Sequence, residues 1–244
     1  IDFSMKHMPH ISAIHHEDGD SPCECQFAMT PSFVSQVYDS QYHIPEYHKY
    51  FLYEADYRPA FRYQKRLLQL LQADAGGHWT LKNPWHPLYL DALTEVFPDA
   101  QLVMTHRDPV AVVGSACSLV WNVRVMLSDT VDREQLGRDM VETFEVMIAR
   151  QKAYRAKHGA DSIFDIQYAE QVADPIGTMQ RLYAHFGEDL SETAESRMRE
   201  YTTSKPKDRF GKHVYDLADY GLTPGYIRER FADYCRDFDI PAKG

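Results

Sequence analysis

The sequence is poor in cysteine, in basic residues and in long apolar runs. Four cysteines among 244 residues are too few for a disulfide scaffold, which favours a reducing, cytoplasmic setting. The longest strongly apolar run, residues 110–113, ends at Gly114 and Ser115, far short of the roughly 20 residues of a membrane span. With 26 basic against 36 acidic residues, the formal charge of −10 argues against a nucleic-acid-binding or anionic-membrane surface. An anionic ligand therefore requires local cations.

Hydrophobic residues make up 44% of the chain, enough for one large buried core. Strands are predicted at 79–81, 101–105 and 162–167. Helices are predicted over 46–72 with a break near Pro59, and over 87–97, 108–127, 132–158, 174–187, 190–201 and 223–238. Strands separated by helices predict an α/β fold with a parallel sheet flanked by helices. Three strands are few for a sheet, so we expect a further strand upstream of Ile1.

Arg107 follows a predicted buried strand and precedes a helix that starts at Asp108-Pro109. A helix N-terminus at a strand end favours anions. Ser115 lies about two turns into this helix, on roughly the same face. Arg107 and Ser115 thus form a candidate phosphate clamp. The alternative is that Arg107 pairs with a neighbouring carboxylate and Ser115 is a small residue at a helix crossing.

These residues belong to a longer set of ordered motifs that resembles the bacterial branch of the sulfotransferases that use 3′-phosphoadenosine 5′-phosphosulfate (PAPS). The resemblance covers most of the chain from about Asp56. The motifs are Leu81-Lys82 with Pro84 and His86, Phe97 to Ala100, His106 to Pro109 with Ser115, Tyr168, Asp174-Pro175, Phe186-Gly187, Gly211 to His213 with Tyr215, Gly221-Leu222, Phe231 and Tyr234.

The resemblance implies a P-loop nucleotide-kinase-like sheet and transfer of a sulfuryl group from PAPS, without a metal, to a hydroxyl on a small molecule, lipid or glycan. It assigns Arg107 and Ser115 to the 3′-phosphate and Tyr168 to the adenine. It also implies basic residues from a late loop, for which the candidates are Lys205, Lys207, Arg209, Lys212 and His213. A solvated charged face explains such a cluster equally well.

Sulfuryl transfer needs charge stabilisation at the leaving phosphate and a base for the acceptor proton. Lys82 is the candidate for the first role, and His86 is the candidate base, with a structural hydrogen bond as the alternative. Rival bases lie in the early segment, where Glu24 and His16 are the main candidates beside His15 and Glu17.

The resemblance divides a single domain into an irregular acceptor-side segment (1–45), an α/β core (46–201) and a C-terminal capping loop and helix (202–244). The family's loop for the 5′-phosphosulfate is missing, because the sequence has no Ser-Gly-Thr run and no Gly-x-x-x-x-Gly-Lys run. We expect this loop upstream of Ile1. Two alternatives stay open: an inactive nucleotide-binding module, and a phosphoryl-transfer enzyme of related fold.

Overall fold

A computed structural model describes residues 11–16, 19–205 and 210–241. These residues form thirteen α-helices and two strands. The helices are α1 (Ile11–Ile14), α2 (Cys25–Met29), α3 (Gln36–Gln41), α4 (Pro45–Lys49), α5 (Arg58–Leu71), α6 (Leu90–Val96), α7 (Pro109–Arg124), α8 (Arg133–His158), α9 (Tyr168–Ala173), α10 (Pro175–His185), α11 (Glu192–Ser204), α12 (Pro224–Arg230) and α13 (Ala232–Asp237). The strands are β1 (Val103–His106) and β2 (Phe164–Gln167).

The two strands pair in parallel, and the register places His106 opposite Gln167. Both strands were predicted from sequence, but each begins two residues later than predicted, at Val103 and Phe164, and β1 ends one residue later, at His106. Because parallel strands share an orientation, the residues that follow them emerge at the same edge of the sheet. The α/β class is confirmed, although the protein is mostly helical.

The strand predicted at 79–81 is wrong. This segment has no strand geometry, and Trp79 and Leu81 are exposed. Strand structure requires a neighbouring chain to satisfy backbone hydrogen bonds. Within the described residues, this segment pairs with neither β1 nor β2.

Helix starts follow local chemistry closely. Asp108 accepts a hydrogen bond from the Val110 N–H (2.9 Å), as an N-cap does before Pro109. Asp174 and Thr223 cap α10 and α12 in the same way. The last predicted helix, 223–238, is split at Phe231 into α12 and α13.

The long helix α8 lies between two apolar clusters. One cluster joins it to α5, α6 and the segment around Trp85. The other joins it to α7, α12 and the turn at Leu217–Tyr220. Within the described ranges, none of the helices has the length and apolar character needed to cross a membrane.

Candidate functional site

Arg107 and Tyr168 lie side by side where the two strands end. Each is the first residue after its strand, and the Arg107 guanidinium carbon is 4.5 Å from the centroid of the Tyr168 ring. This is a cation–π arrangement. Arg107 is exposed and stands at the N-terminus of α7, where the helix dipole favours an anion. The sheet therefore brings together the two residues assigned to phosphate and adenine.

His213 joins the C-terminal segment to α7 through both of its ring nitrogens. Nδ1 is 3.3 Å from the Ser115 hydroxyl oxygen, and Nε2 is 2.9 Å from that of Ser118. The Tyr215 hydroxyl donates to the Ala111 carbonyl nearby (3.0 Å). Burial lowers the pKa of His213, which favours the neutral form of the ring. Ser115 and His213, 98 positions apart in sequence, thus form one polar cluster.

The other candidate cations of the late loop are less closely tied to this cluster. Lys212 is exposed beside His213. The Lys205 ammonium lies 4.7 Å from the centroid of the Tyr201 ring, at the end of α11. Arg209 and Lys207 lie outside the described residues. Their part in binding stays a prediction.

Glu24 and Lys82 form an ion pair that joins the early segment to the loop after residue 81. The Glu24 side chain is only 9% exposed, whereas Lys82 reaches solvent. Gln26 Nε2 donates to the other carboxylate oxygen of Glu24 (3.0 Å), and His15 Nε2 lies 3.7 Å from the oxygen that pairs with Lys82. The Cys25 N–H also donates to the Lys82 carbonyl (3.0 Å). The structure thus places a candidate base against the candidate cation.

His86 has a different environment from Glu24. Its Nε2 is buried and has no hydrogen-bond partner in the described part of the chain. Aromatic rings surround it, with ring centroids of Phe61 and Tyr89 at 6.1 and 6.3 Å. Burial lowers the pKa of His86 to about 4, which makes the ring a weak proton acceptor at neutral pH.

His16 connects the two ends of the described chain. Its ring stacks on Phe210, with centroids 3.7 Å apart and an interplanar angle of 18°. His16 therefore links the early segment to the segment that carries His213. Glu17 lies outside the described residues.

Two residues of the site were missed from the sequence. Ser118 lies three positions after Ser115, a spacing that places both on one helix face, and this signal was available. Gln26, which bonds Glu24, carries no such signal because its position depends on the fold of the early segment.

Residues 2–192 match the model of the Sulfotransferase family, and this chain belongs to that family. It is similar to the sulfotransferase STF9 of Mycobacterium avium, whose crystal structure it matches with a TM-score of 0.87 and 34% identity, over 100% of this chain and 64% of that one. Sulfotransferase STF1 of Mycobacterium tuberculosis H37Rv matches with a TM-score of 0.79 and 34% identity, over 95% of this chain and 61% of that one.

A curated relative is the omega-hydroxy-beta-dihydromenaquinone-9 sulfotransferase Stf3 of Mycobacterium bovis. It is 24% identical over 196 residues, which are 78% of this chain and 50% of the relative. The chain therefore spans about half the length of the curated relatives it matches.

Proposed function

We propose that this protein takes part in moving a sulfuryl group from PAPS to a hydroxyl acceptor, and that Arg107 and its neighbours hold the donor's 3′-phosphate. The observation that carries the proposal is the contact of Arg107 with Tyr168 where the two parallel strands end, at the N-terminus of the helix that also carries Ser115. A guanidinium, a helix N-terminus and a hydroxyl suit a phosphate, and the Tyr168 ring offers a surface for a base. Membership of the sulfotransferase family supports the same donor.

Glu24 is the base that the geometry favours. In the transfer, the acceptor oxygen forms a bond to sulfur while the bond from sulfur to the 5′-phosphate oxygen breaks. Glu24 takes the hydroxyl proton, and Lys82 stabilises the charge on the leaving 3′-phosphoadenosine 5′-phosphate. The ion pair already holds these two groups together. His86 is the weaker candidate because its unpartnered nitrogen is surrounded by aromatic rings.

A lipid hydroxyl is the acceptor class we favour. The name of the Stf3 relative supports it, since that protein is called a menaquinone sulfotransferase. Exposed aromatic side chains in the early segment, among them Phe27, Phe33 and Tyr42, also suit an apolar acceptor. Small-molecule and glycan hydroxyls are the alternatives. The four free cysteines support a cytoplasmic setting.

We further propose that β1 and β2 belong to a P-loop-like sheet of the nucleotide-kinase type. The matches to the two mycobacterial crystal structures support this assignment. The sequence supplies the 3′-phosphate half of the donor site. The 5′-phosphosulfate loop is not recognisable in it, so binding of the 3′-phosphate is the property to test first.

Calorimetry with two nucleotides tests the proposal. The protein should bind 3′-phosphoadenosine 5′-phosphate more tightly than adenosine 5′-phosphate, which lacks the 3′-phosphate. Arg107→Ala should weaken binding of the first nucleotide by about 1.5–3 kcal/mol, the range for a hydrogen bond to a charged group. Arg138→Ala removes an equally exposed guanidinium from α8 and should change neither affinity.

Other outcomes would refute the 3′-phosphate clamp or favour one of the alternative functions. Equal affinity for the two nucleotides, or no effect of Arg107→Ala, would refute the 3′-phosphate clamp. Selective binding without sulfuryl transfer from PAPS to a hydroxylated dihydromenaquinone would favour the inactive binding module. The phosphoryl-transfer alternative predicts transfer from ATP, for which the sequence has no Walker-type loop.

A further inference from the structure

His106, the last residue of β1, is buried and has a partner at each ring nitrogen. Nε2 lies 2.7 Å from Asp165 Oδ1 on the paired strand β2. Nδ1 lies 3.0 Å from the hydroxyl of Tyr234 on α13. The ring also stacks on Phe238, with centroids 4.3 Å apart. His106 therefore fixes α13 against the end of the sheet.

Asp165 is itself held from the other side. The Arg155 guanidinium on α8 donates to the same carboxylate at 2.5 Å. Together with the bond to His106, Arg155 keeps the pKa of Asp165 below its usual range, against burial. The Asp165 carboxylate accepts a hydrogen bond from His106 Nε2, which fixes the orientation of the ring.

Tyr234 ends this series of hydrogen bonds at the residue that precedes Arg107. Its hydroxyl lies 3.0 Å from His106 Nδ1, and the two rings are also in contact, with centroids 5.7 Å apart. Tyr234, His106, Asp165 and Arg155 are therefore joined by consecutive hydrogen bonds. Because His106 directly precedes Arg107 in the chain, the contacts that hold His106 also hold the backbone that leads into Arg107.

We propose that Tyr234 and His106 are positioning residues for the 3′-phosphate clamp: they fix the backbone of Arg107, and thereby the direction of its exposed side chain. This inference rests on the proposed function of Arg107. The Arg107 guanidinium is exposed and contacts the Tyr168 ring, so the position of its own backbone helps to determine where the guanidinium lies. Fixing the backbone lowers the entropy lost when the guanidinium engages an anion.

Tyr234→Phe tests this role because it removes only the hydroxyl group. The variant should lose about three- to tenfold in affinity for 3′-phosphoadenosine 5′-phosphate, the scale of one net hydrogen bond. Its affinity for adenosine 5′-phosphate should stay unchanged, because that nucleotide does not use the clamp. Tyr226→Phe makes the same chemical change at an exposed position on α12. This control variant should bind both nucleotides like wild type.

A second control separates positioning from stability. Phe231→Leu removes core packing at the junction of α12 and α13, away from the His106 bonds. Thermal unfolding will show whether it destabilises as much as Tyr234→Phe. If loss of stability alone lowered nucleotide affinity, both variants would weaken both nucleotides alike, and this result would overturn the positioning role.

A double-mutant cycle provides the decisive measurement. If Tyr234 acts through Arg107, then Tyr234→Phe should cause no further loss once Arg107 is alanine. Additive losses in the double variant would refute the inference. If the wild-type protein fails to discriminate between the two nucleotides, the proposed function fails. If wild type discriminates and Tyr234→Phe discriminates equally well, only the positioning role fails.

Discussion

Glu24 is a charged side chain whose position depends on a partner far away in the sequence. Its carboxylate is almost completely buried, yet it has an ion pair to Lys82 and a hydrogen bond from Gln26. Burying a carboxylate without such partners would be costly. Because Lys82 itself reaches solvent, the pair can open toward a ligand at the surface.

Replacing Glu24 by glutamine should therefore separate catalysis from binding. The amide keeps the size and a hydrogen-bonding oxygen but cannot take a proton, so sulfuryl transfer should fall by about 10²- to 10⁴-fold. Affinity for 3′-phosphoadenosine 5′-phosphate, measured by calorimetry, should change little. Glu46→Gln, at an exposed position on α4, is the matched control. A rate close to wild type would move the role of base to His86 or to another residue.

The site residues differ in how well the sequence indicates them. The position of Arg107 between a strand and a helix was predictable because a strand end, a helix cap and a basic residue are adjacent in the chain. The pairing of Glu24 with Lys82 was not, since 58 positions separate the two residues and nothing local fixes their contact. The environment of His86 was not predictable either, because its low pKa comes from surrounding rings that only the fold brings near.

Gly114 on helix α7 has no side chain, which allows the C-terminal segment to pack closely against the helix. A Cβ on Gly114 would lie 2.3 Å from Cε2 of Tyr215 and 3.1 Å from Cδ2 of Leu217. The C-terminal segment therefore approaches α7 more closely than any larger residue would allow. The contact of His213 with Ser115 depends on this approach.

Gly114→Ala should push Tyr215 away and loosen the C-terminal segment. We expect a loss of about 1–3 kcal/mol in the free energy of unfolding, the usual cost of overpacking, measured by urea denaturation. Affinity for 3′-phosphoadenosine 5′-phosphate should fall as well. In Gly225→Ala the new Cβ meets nothing within 4 Å on α12, so this control should be neutral or stabilising. Equal stability of the two variants would contradict the close approach.

The helices and strands were predicted more accurately where interactions between residues close in sequence determine them. Helices α7, α10 and α12 begin where an Asp-Pro or Thr-Pro pair is present, since an N-cap is a contact over two or three residues. No comparable signal in the local sequence indicates the division of the last helix at Phe231. The segment at 79–81 has the composition of a strand, but whether it pairs is decided by other parts of the chain.

The molecule as a whole is acidic, with a formal charge of −10, yet its candidate anion site is cationic. Arg107 is exposed, whereas other arginines, among them Arg155 and Arg230, are paired with carboxylates. The overall negative charge of the protein disfavours the binding of polyanions. Recognition of a small anionic ligand therefore depends on short-range contacts. The same composition that argues against nucleic-acid binding is compatible with a small nucleotide donor.

Buried histidines should make the stability of the protein depend on pH. Burial lowers the pKa of His86 to about 4 from 6.5, so its contribution is present above pH 6.5 and is lost as the pH falls toward 4. Between pH 7 and pH 5 this loss is on the order of 2 kcal/mol. His213 acts in the same direction. His48, whose pKa is raised by Asp39, acts in the opposite direction and stabilises the fold at low pH.

Urea denaturation at pH 7 and pH 5 tests this dependence. His86→Leu should lose less stability on acidification than wild type, because it removes the group that must take up a proton on unfolding. His78→Leu, at an exposed position, should keep the wild-type dependence. An identical pH dependence for His86→Leu and wild type would show that His86 is not buried in the neutral form.

If the donor's 3′-phosphate engages Ser115 as proposed, the double contact of His213 makes donor binding an exchange of partners. Its two ring nitrogens are already bonded to Ser115 and Ser118, so a phosphate that engages Ser115 replaces one internal bond with another. The measured affinity then reports a difference between two bonded states and not the full strength of the phosphate contact. A modest dissociation constant is thus compatible with a precisely built site.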